Sequence, residues 1–113
     1  MNLSVLTGNL GADPEVFYST DGVPLATFNL AFHSNKKKTN WLKVVCFNKL
    51  ADVVQTYLHK GARITVQGAL EQEKWEKDGE TRTSYKLLAN SIDFIRTDGR
   101  GFPDGKQTDE VPF

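Results

Sequence analysis

The hydrophobic pattern of this chain keeps one period almost throughout and changes it once. Between Pro24 and Phe32 one parity is apolar: Ala26, Phe28, Leu30 and Phe32. Leu42, Val44 and Cys46 repeat the alternation between residues 41 and 47, and Ile64, Val66 and Leu70 resume it. Side chains of a strand point alternately to its two faces, so each segment predicts a strand with one buried face. Only residues 49–59 depart from this. There Leu50, Val53, Val54, Tyr57 and Leu58 fall at i, i+3, i+4, i+7 and i+8, the apolar stripe of one amphipathic helix of about three turns.

Punctuation fixes the order of these pieces. Leu3 to Gly11 reads as an opening strand, Asp13-Pro14 breaks it, and Val16-Phe17-Tyr18 resumes extended structure. Thr20-Asp21-Gly22 is a turn signal. His33 to Asn40 reads as a polar loop around Lys36-Lys37-Lys38, and Lys60-Gly61 as the end of the helix, glycine being suited to the left-handed position there. The strand that starts at Ile64 runs on to Trp75. Lys77-Asp78-Gly79-Glu80 turns a long hairpin whose return strand carries Tyr85, Leu87, Leu88, Ile92, Phe94 and Ile95. The resulting order, β-β-β-α-β-β, predicts an all-β OB-fold. That is a five-stranded, partly open Greek-key barrel with one helix between its third and fourth strands and a long hairpin between the last two. Residues 1–97 read as one domain. Residues 98–108 hold three glycines and a proline with almost no apolar content, the composition of a flexible, disordered linker, so residues 98–113 read as a linker and an acidic tip.

Several chemistries fit poorly. There is no phosphate-binding glycine loop and no Cys/His spacing for zinc. His33 and His59 are isolated, the second reading as a cation at the helix C-terminus. Cys46 falls on the core parity, where a small buried hydrophobe is a simpler reading than a nucleophile. The acidic set Glu71, Glu73, Glu76, Asp78 and Glu80 could in principle hold Mg²⁺ for a nuclease, but a solvated hairpin accounts for it more simply. No cofactor, metal or enzymatic activity is expected. No apolar run is long enough for a membrane span, and the N-terminus lacks the pattern of a signal peptide. A lone cysteine suits a reducing compartment, so the expected location is the cytoplasm. The formal net charge is zero, yet residues 1–97 carry 12 basic and 10 acidic residues, and residues 98–113 carry 2 and 4. The body is mildly basic and the tail acidic, a balance that permits an anionic partner.

Four ordered motifs carry a resemblance. Val5-Leu6-Thr7-Gly8-Asn9-Leu10-Gly11-Ala12-Asp13-Pro14-Glu15-Val16 resembles the opening of bacterial single-stranded DNA-binding proteins. So does Trp41-Leu42-Lys43-Val44-Val45-Cys46-Phe47-Asn48-Lys49-Leu50-Ala51, and so do Tyr57-Leu58-His59-Lys60-Gly61 and the ending Asp109-Glu110-Val111-Pro112-Phe113. The resemblance implies an OB-fold, usually in a homotetramer, that protects unpaired DNA in replication, recombination and repair. The chain departs from many relatives in its short linker, in a 33–40 loop without an aromatic, and in Glu71 and Glu73 ahead of Trp75, where relatives often carry basic residues.

Candidate contacts follow. The second parity of residues 41–47 mixes Trp41, Lys43, Val45 and Phe47, an unusual set for a solvated surface. Every base has a π-face, so a ring left open can stack any of them. Trp41 and Phe47 are expected to stack bases, with Lys43 and Lys49 at phosphates and Trp75 extending the track, although packing in a core is the commoner fate of an aromatic. Lys36, Lys37 and Lys38 are candidates to follow the backbone by charge, and Lys60 and Lys74 are further candidates. Asp109, Glu110 and a terminal carboxylate beside Val111, Pro112 and Phe113 suit an apolar pocket rimmed by basic residues on a partner. The resemblance implies that replication and repair proteins dock there. Competing readings are an OB-fold primosome or RNA-binding subunit, a small nuclease using the acidic hairpin, and a purely structural oligomerisation subunit.

Overall fold

In a computed structural model, residues 1–96 are described. Six strands and one helix follow in order. They are β1 (Ser4–Leu10), β2 (Glu15–Tyr18), β3 (Pro24–Asn35), β4 (Lys38–Phe47), α1 (Lys49–Tyr57), β5 (Arg63–Lys77) and β6 (Glu80–Arg96). They form one sheet in the order β1-β5-β6-β4-β3-β2, and β1 also pairs with β3. That second pairing, Asn9 with Ala31 and Leu10 with Leu30, closes the sheet on itself. All pairings are antiparallel except β4 with β6, where Lys43, Val44 and Val45 lie beside Lys86, Leu87 and Leu88. This is the OB-fold barrel that the alternation predicts.

The inward parities supply the core. Leu30, Val44, Cys46, Val54, Ile64, Val66 and Leu87 are fully buried, with Leu10, Phe28 and Leu58 nearly so. Helix α1 packs against β3 and β4 and buries Ala51 and Val54. Its edge stacks on the sheet through Tyr57 and Phe94, ring centroids 5.8 Å apart and tilted at 61°.

Four details differ from the sequence reading. The strands number six rather than five: the expected break at Asp13-Pro14 is there, since proline has no N–H for the ladder, but the extended segment after it is a separate strand, β2. The segment 33–40 is not a loop. β3 and β4 run on as a ribbon to Asn35 paired with Lys38, with only Lys36 and Lys37 in the turn, where the Asn35 side-chain oxygen accepts the Lys37 N–H at 2.8 Å. The helix stops at Tyr57, because Leu58 turns to an extended conformation and is buried in the core. Gly61, at φ 89°, serves the turn into β5 instead. His59 therefore lies past the helix, with its Nδ1–H donating to the Lys60 carbonyl at 2.8 Å.

The long hairpin is as expected. Asp78 and Gly79 have φ of 53° and 79°, the left-handed pair of a tight two-residue turn. β5 and β6 pair from Arg63–Arg96 to Lys77–Glu80. Beyond Leu70 and Tyr85 every residue of this ribbon is exposed, so it stands off the barrel as an arm.

Candidate nucleic-acid interface

The outward parity of β4 carries Trp41, Lys43, Val45 and Phe47, and the register supplies their neighbours. One row runs Phe17, Leu25, Phe47, and the next Glu15, Thr27, Val45, Leu88, Ala69. A third runs Asn29, Lys43, Lys86, Glu71. Trp41 is 60% exposed and Phe47 45%, so these two rings of the expected track are not consumed by the core. Val45 shares their parity but is only 4% exposed, because Thr27 and Leu88 close over it from either side.

Trp41 lies against backbone. A methyl group added at Gly11 would overlap Cζ3 and Cη2 of the indole. One part of the ring is thus seated on a residue with no side chain, and its remainder faces solvent. Contact with backbone on one side restricts the ring, which lowers the freedom lost when a flat ligand orders against it. Lys43 stands two residues away on the same parity and lines a polar hollow of about 270 Å³ with Glu15 and Asn29.

Trp75, also 45% exposed, is on the arm and paired with Arg82. Counting back from it in twos gives Glu73, Glu71 and Ala69, which sit in the outward rows, so Trp75 shares the sheet side of Trp41 and Phe47. Between them lies an ionic knot. Lys86 binds Glu73 and, at 3.4 Å, Glu71. The hydrogen bond from Lys86 and its charge, with a smaller contribution from Lys43, hold the Glu73 carboxyl below the usual carboxylate range. The same bonds hold the Lys86 ammonium above the usual lysine range. The two carboxylates that interrupt the basic strip are therefore partly matched by a lysine that occupies the same strip. Lys86 was not singled out from the sequence. Its parity opposite to Leu87 was the available signal.

The other expected contacts are scattered. Lys49 opens α1 two residues after Phe47, with Asn48 between them, close in sequence to the strip and exposed. Lys36, Lys37 and Lys38 are exposed at the end of the β3–β4 ribbon, with Lys38 on the parity of Leu42 rather than that of Trp41. Lys74 has the parity of Leu70, opposite to Trp75, so it projects from the other side of the arm. Lys60 lies between α1 and β5, where its backbone N–H donates to an Asp13 side-chain oxygen at 2.7 Å. Asp109, Glu110, Val111, Pro112 and Phe113 lie outside the described residues.

Cys46 is fully buried and its thiol is pushed up to about 12 by desolvation, which keeps it protonated and unreactive at neutral pH. Among the described residues, no group of three or more His, Cys, Asp or Glu side chains is placed to hold a metal ion, and no helix is long and apolar enough to cross a membrane.

Comparison with known proteins bears on the same residues. The model of the single-strand binding protein family matches residues 1–95. The protein named Single-stranded DNA-binding protein 1 from Xylella fastidiosa (strain 9a5c) is 32% identical over 124 residues, an alignment that covers 99% of this chain and 91% of that relative.

Proposed function

The chain belongs to the single-strand binding protein family, and on that premise we propose that it binds unpaired DNA without reading its sequence and has no catalytic role. The observation that carries the reading is Trp41: an indole seated on Gly11, open to solvent, with Lys43 and Phe47 on the same outward parity. Bases in a duplex have their faces covered by one another, whereas unpaired bases offer theirs. Stacking on an aromatic side chain is worth about 1–3 kcal/mol per base and tolerates any sequence. Trp41, Phe47 and Trp75 take the bases. Lys43 and Lys49 meet phosphates beside them, and Lys36, Lys37, Lys38, Lys60 and Lys74 engage strand that wraps beyond the outward face.

The domain boundary falls at 97/98. The tip Asp109-Glu110-Val111-Pro112-Phe113 recruits replication, recombination and repair proteins. Its charges and apolar side chains suit a basic-rimmed apolar pocket, and its support is the motif itself. The protein works as a homo-oligomer, a tetramer, in the cytoplasm. Leu3 and Val5 remain about half exposed at β1, an apolar strip for strand-to-strand contact between copies.

The test is Trp41→Ala against dT, dC and dA oligonucleotides. Affinity should fall about tenfold for all three alike. A loss confined to one sequence, or no loss, would contradict the stacking role.

A further inference from the structure

We propose that Phe17 is a fourth stacking platform, and that the apolar hollow between it and Phe47 holds one unpaired base of the bound strand. The proposal rests on the single-strand binding reading above and adds a site to it.

The hollow has a volume of about 240 Å³ and is walled by Phe17, Tyr18, Ser19, Val23, Leu25 and Phe47. Four of these are large hydrophobics left open: Phe17 at 49%, Tyr18 at 63%, Phe47 at 45% and Val23 at 37%. Apolar side chains scattered singly over a surface need no explanation, but several gathered in one concave patch mark a binding site. The local structure explains the gathering. β2 is a four-residue strand at the sheet edge, and its register sets Phe17 beside Leu25 and Leu25 beside Phe47. The turn closed by the Ser19 N–H to the Val23 carbonyl, 2.9 Å, and by the Val23 N–H to the Ser19 hydroxyl, 3.0 Å, brings Val23 to the rim.

Size and position select the occupant. Small-molecule sites run from roughly 300 to 1,000 Å³, so this one suits a single ring system. A stable contact with a second copy needs on the order of 800 Å² from each partner, far more than six residues around one dimple provide. The hollow is continuous with the Trp41–Lys43–Phe47 strip, because Phe47 belongs to both. Phe17 also forms a wall of the polar hollow that holds Lys43. A strand following Trp41, Lys43 and Phe47 is thereby led to Phe17 along a hollow whose lining cation, Lys43, stands among the carboxylates of Asp13 and Glu15. An apolar cradle without hydrogen-bonding side chains other than the Ser19 and Tyr18 hydroxyls grips ring faces and leaves base edges unread, which matches a sequence-blind binder.

The experiment compares wild type with Phe17→Ala, Phe17→Leu, Phe17→Trp and Trp41→Ala. It measures equilibrium affinity for a dT oligonucleotide over a series of salt concentrations, with mass by light scattering and a thermal melt for each. Phe17→Ala and Phe17→Leu should each weaken binding about five- to tenfold, Phe17→Trp should restore it, and the salt slope should not change, since no phosphate contact is removed. Should Phe17→Ala fail to fold, the Leu and Trp pair carries the same comparison, because both keep the apolar bulk and only one keeps a π-face. Wild-type affinity in Phe17→Leu, or in Phe17→Ala while Trp41→Ala is weakened, overturns the site and leaves the broader reading standing. A change of mass at constant affinity assigns the hollow to a contact between copies and also overturns it. Unchanged affinity in both Trp41→Ala and Phe17→Ala removes the broader reading and the site with it.

Discussion

Gly11 is the position where one methyl group has the greatest leverage on the candidate interface. Its backbone is the seat of the Trp41 indole, and an added Cβ would collide with the ring rather than with the core. We expect Gly11→Ala to push the indole off its seat. dT affinity should drop several-fold, approaching the roughly tenfold loss of removing a stacked ring, and the tryptophan emission of the free protein should shift. Global stability should change by less than about 1 kcal/mol, as for a surface substitution outside the packed centre. Urea unfolding and a dT titration on the same sample check both halves, and an unchanged affinity would mean that the seat does not orient the ring.

At the scale of the elements, the β5–β6 arm sets how strongly the strip attracts phosphate. Lys86 faces the strip but is held by Glu71 and Glu73. In Glu73→Gln one carboxylate is lost and Lys86 keeps only its longer contact to Glu71, 3.4 Å, which leaves it freer to meet a phosphate. Affinity should rise, and the dependence of log K on log salt should steepen by about 0.7, the increment for one further phosphate neutralised on a single strand. Lowering the pH should reproduce the gain in the wild type as Glu73 takes up a proton. Lys86 holds that carboxyl low, so the rise should come at more acidic pH than for an ordinary glutamate. A flatter slope in Glu73→Gln would show that Lys86 does not reach the DNA.

The arm and the barrel also show what the sequence could and could not reveal. Period-2 parity was enough to separate Trp41, Lys43 and Phe47 from Leu42, Val44 and Cys46, because one face is wet and the other dry. It could not foresee that Val45 is covered, since Thr27 and Leu88 reach it only through pairing between distant strands. The β3–β4 ribbon at 33–40 was illegible for the opposite reason: it projects beyond the core, both its faces are solvated, and no alternation is imposed on it. The hollow between Phe17 and Phe47 joins residues thirty positions apart, and only the registers of β2 on β3 and of β3 on β4 bring them together.

For the molecule as a whole, the single thiol at the centre of the barrel couples stability to pH. Cys46 lies in the middle of β4 with no exposure, and desolvation raises its pKa from 9.0 to about 12. The unfolded chain releases this proton near pH 9, whereas the folded chain keeps it until about pH 12. The unfolded state then binds fewer protons, so stability is complete below pH 9 and falls through the window from 9 to 12, by up to about 1.4 kcal/mol per pH unit from this group. Denaturant melts at increasing pH should show the decline, and Cys46→Ala should flatten it; an equally steep decline in Cys46→Ala would assign the effect to other groups. A barrel of this size needs its buried residues for stability, which is why its binding rings have to be additional ones, left outside on the face of β4 and on the arm. The most direct test of that arrangement is the tryptophan emission of the full chain titrated with poly-dT over a range of salt. Saturable quenching is predicted, with an affinity that falls linearly on logarithmic axes as salt rises, and little quenching by duplex DNA of the same length. Binding that leaves the emission unchanged, or equal quenching by duplex, would contradict the account.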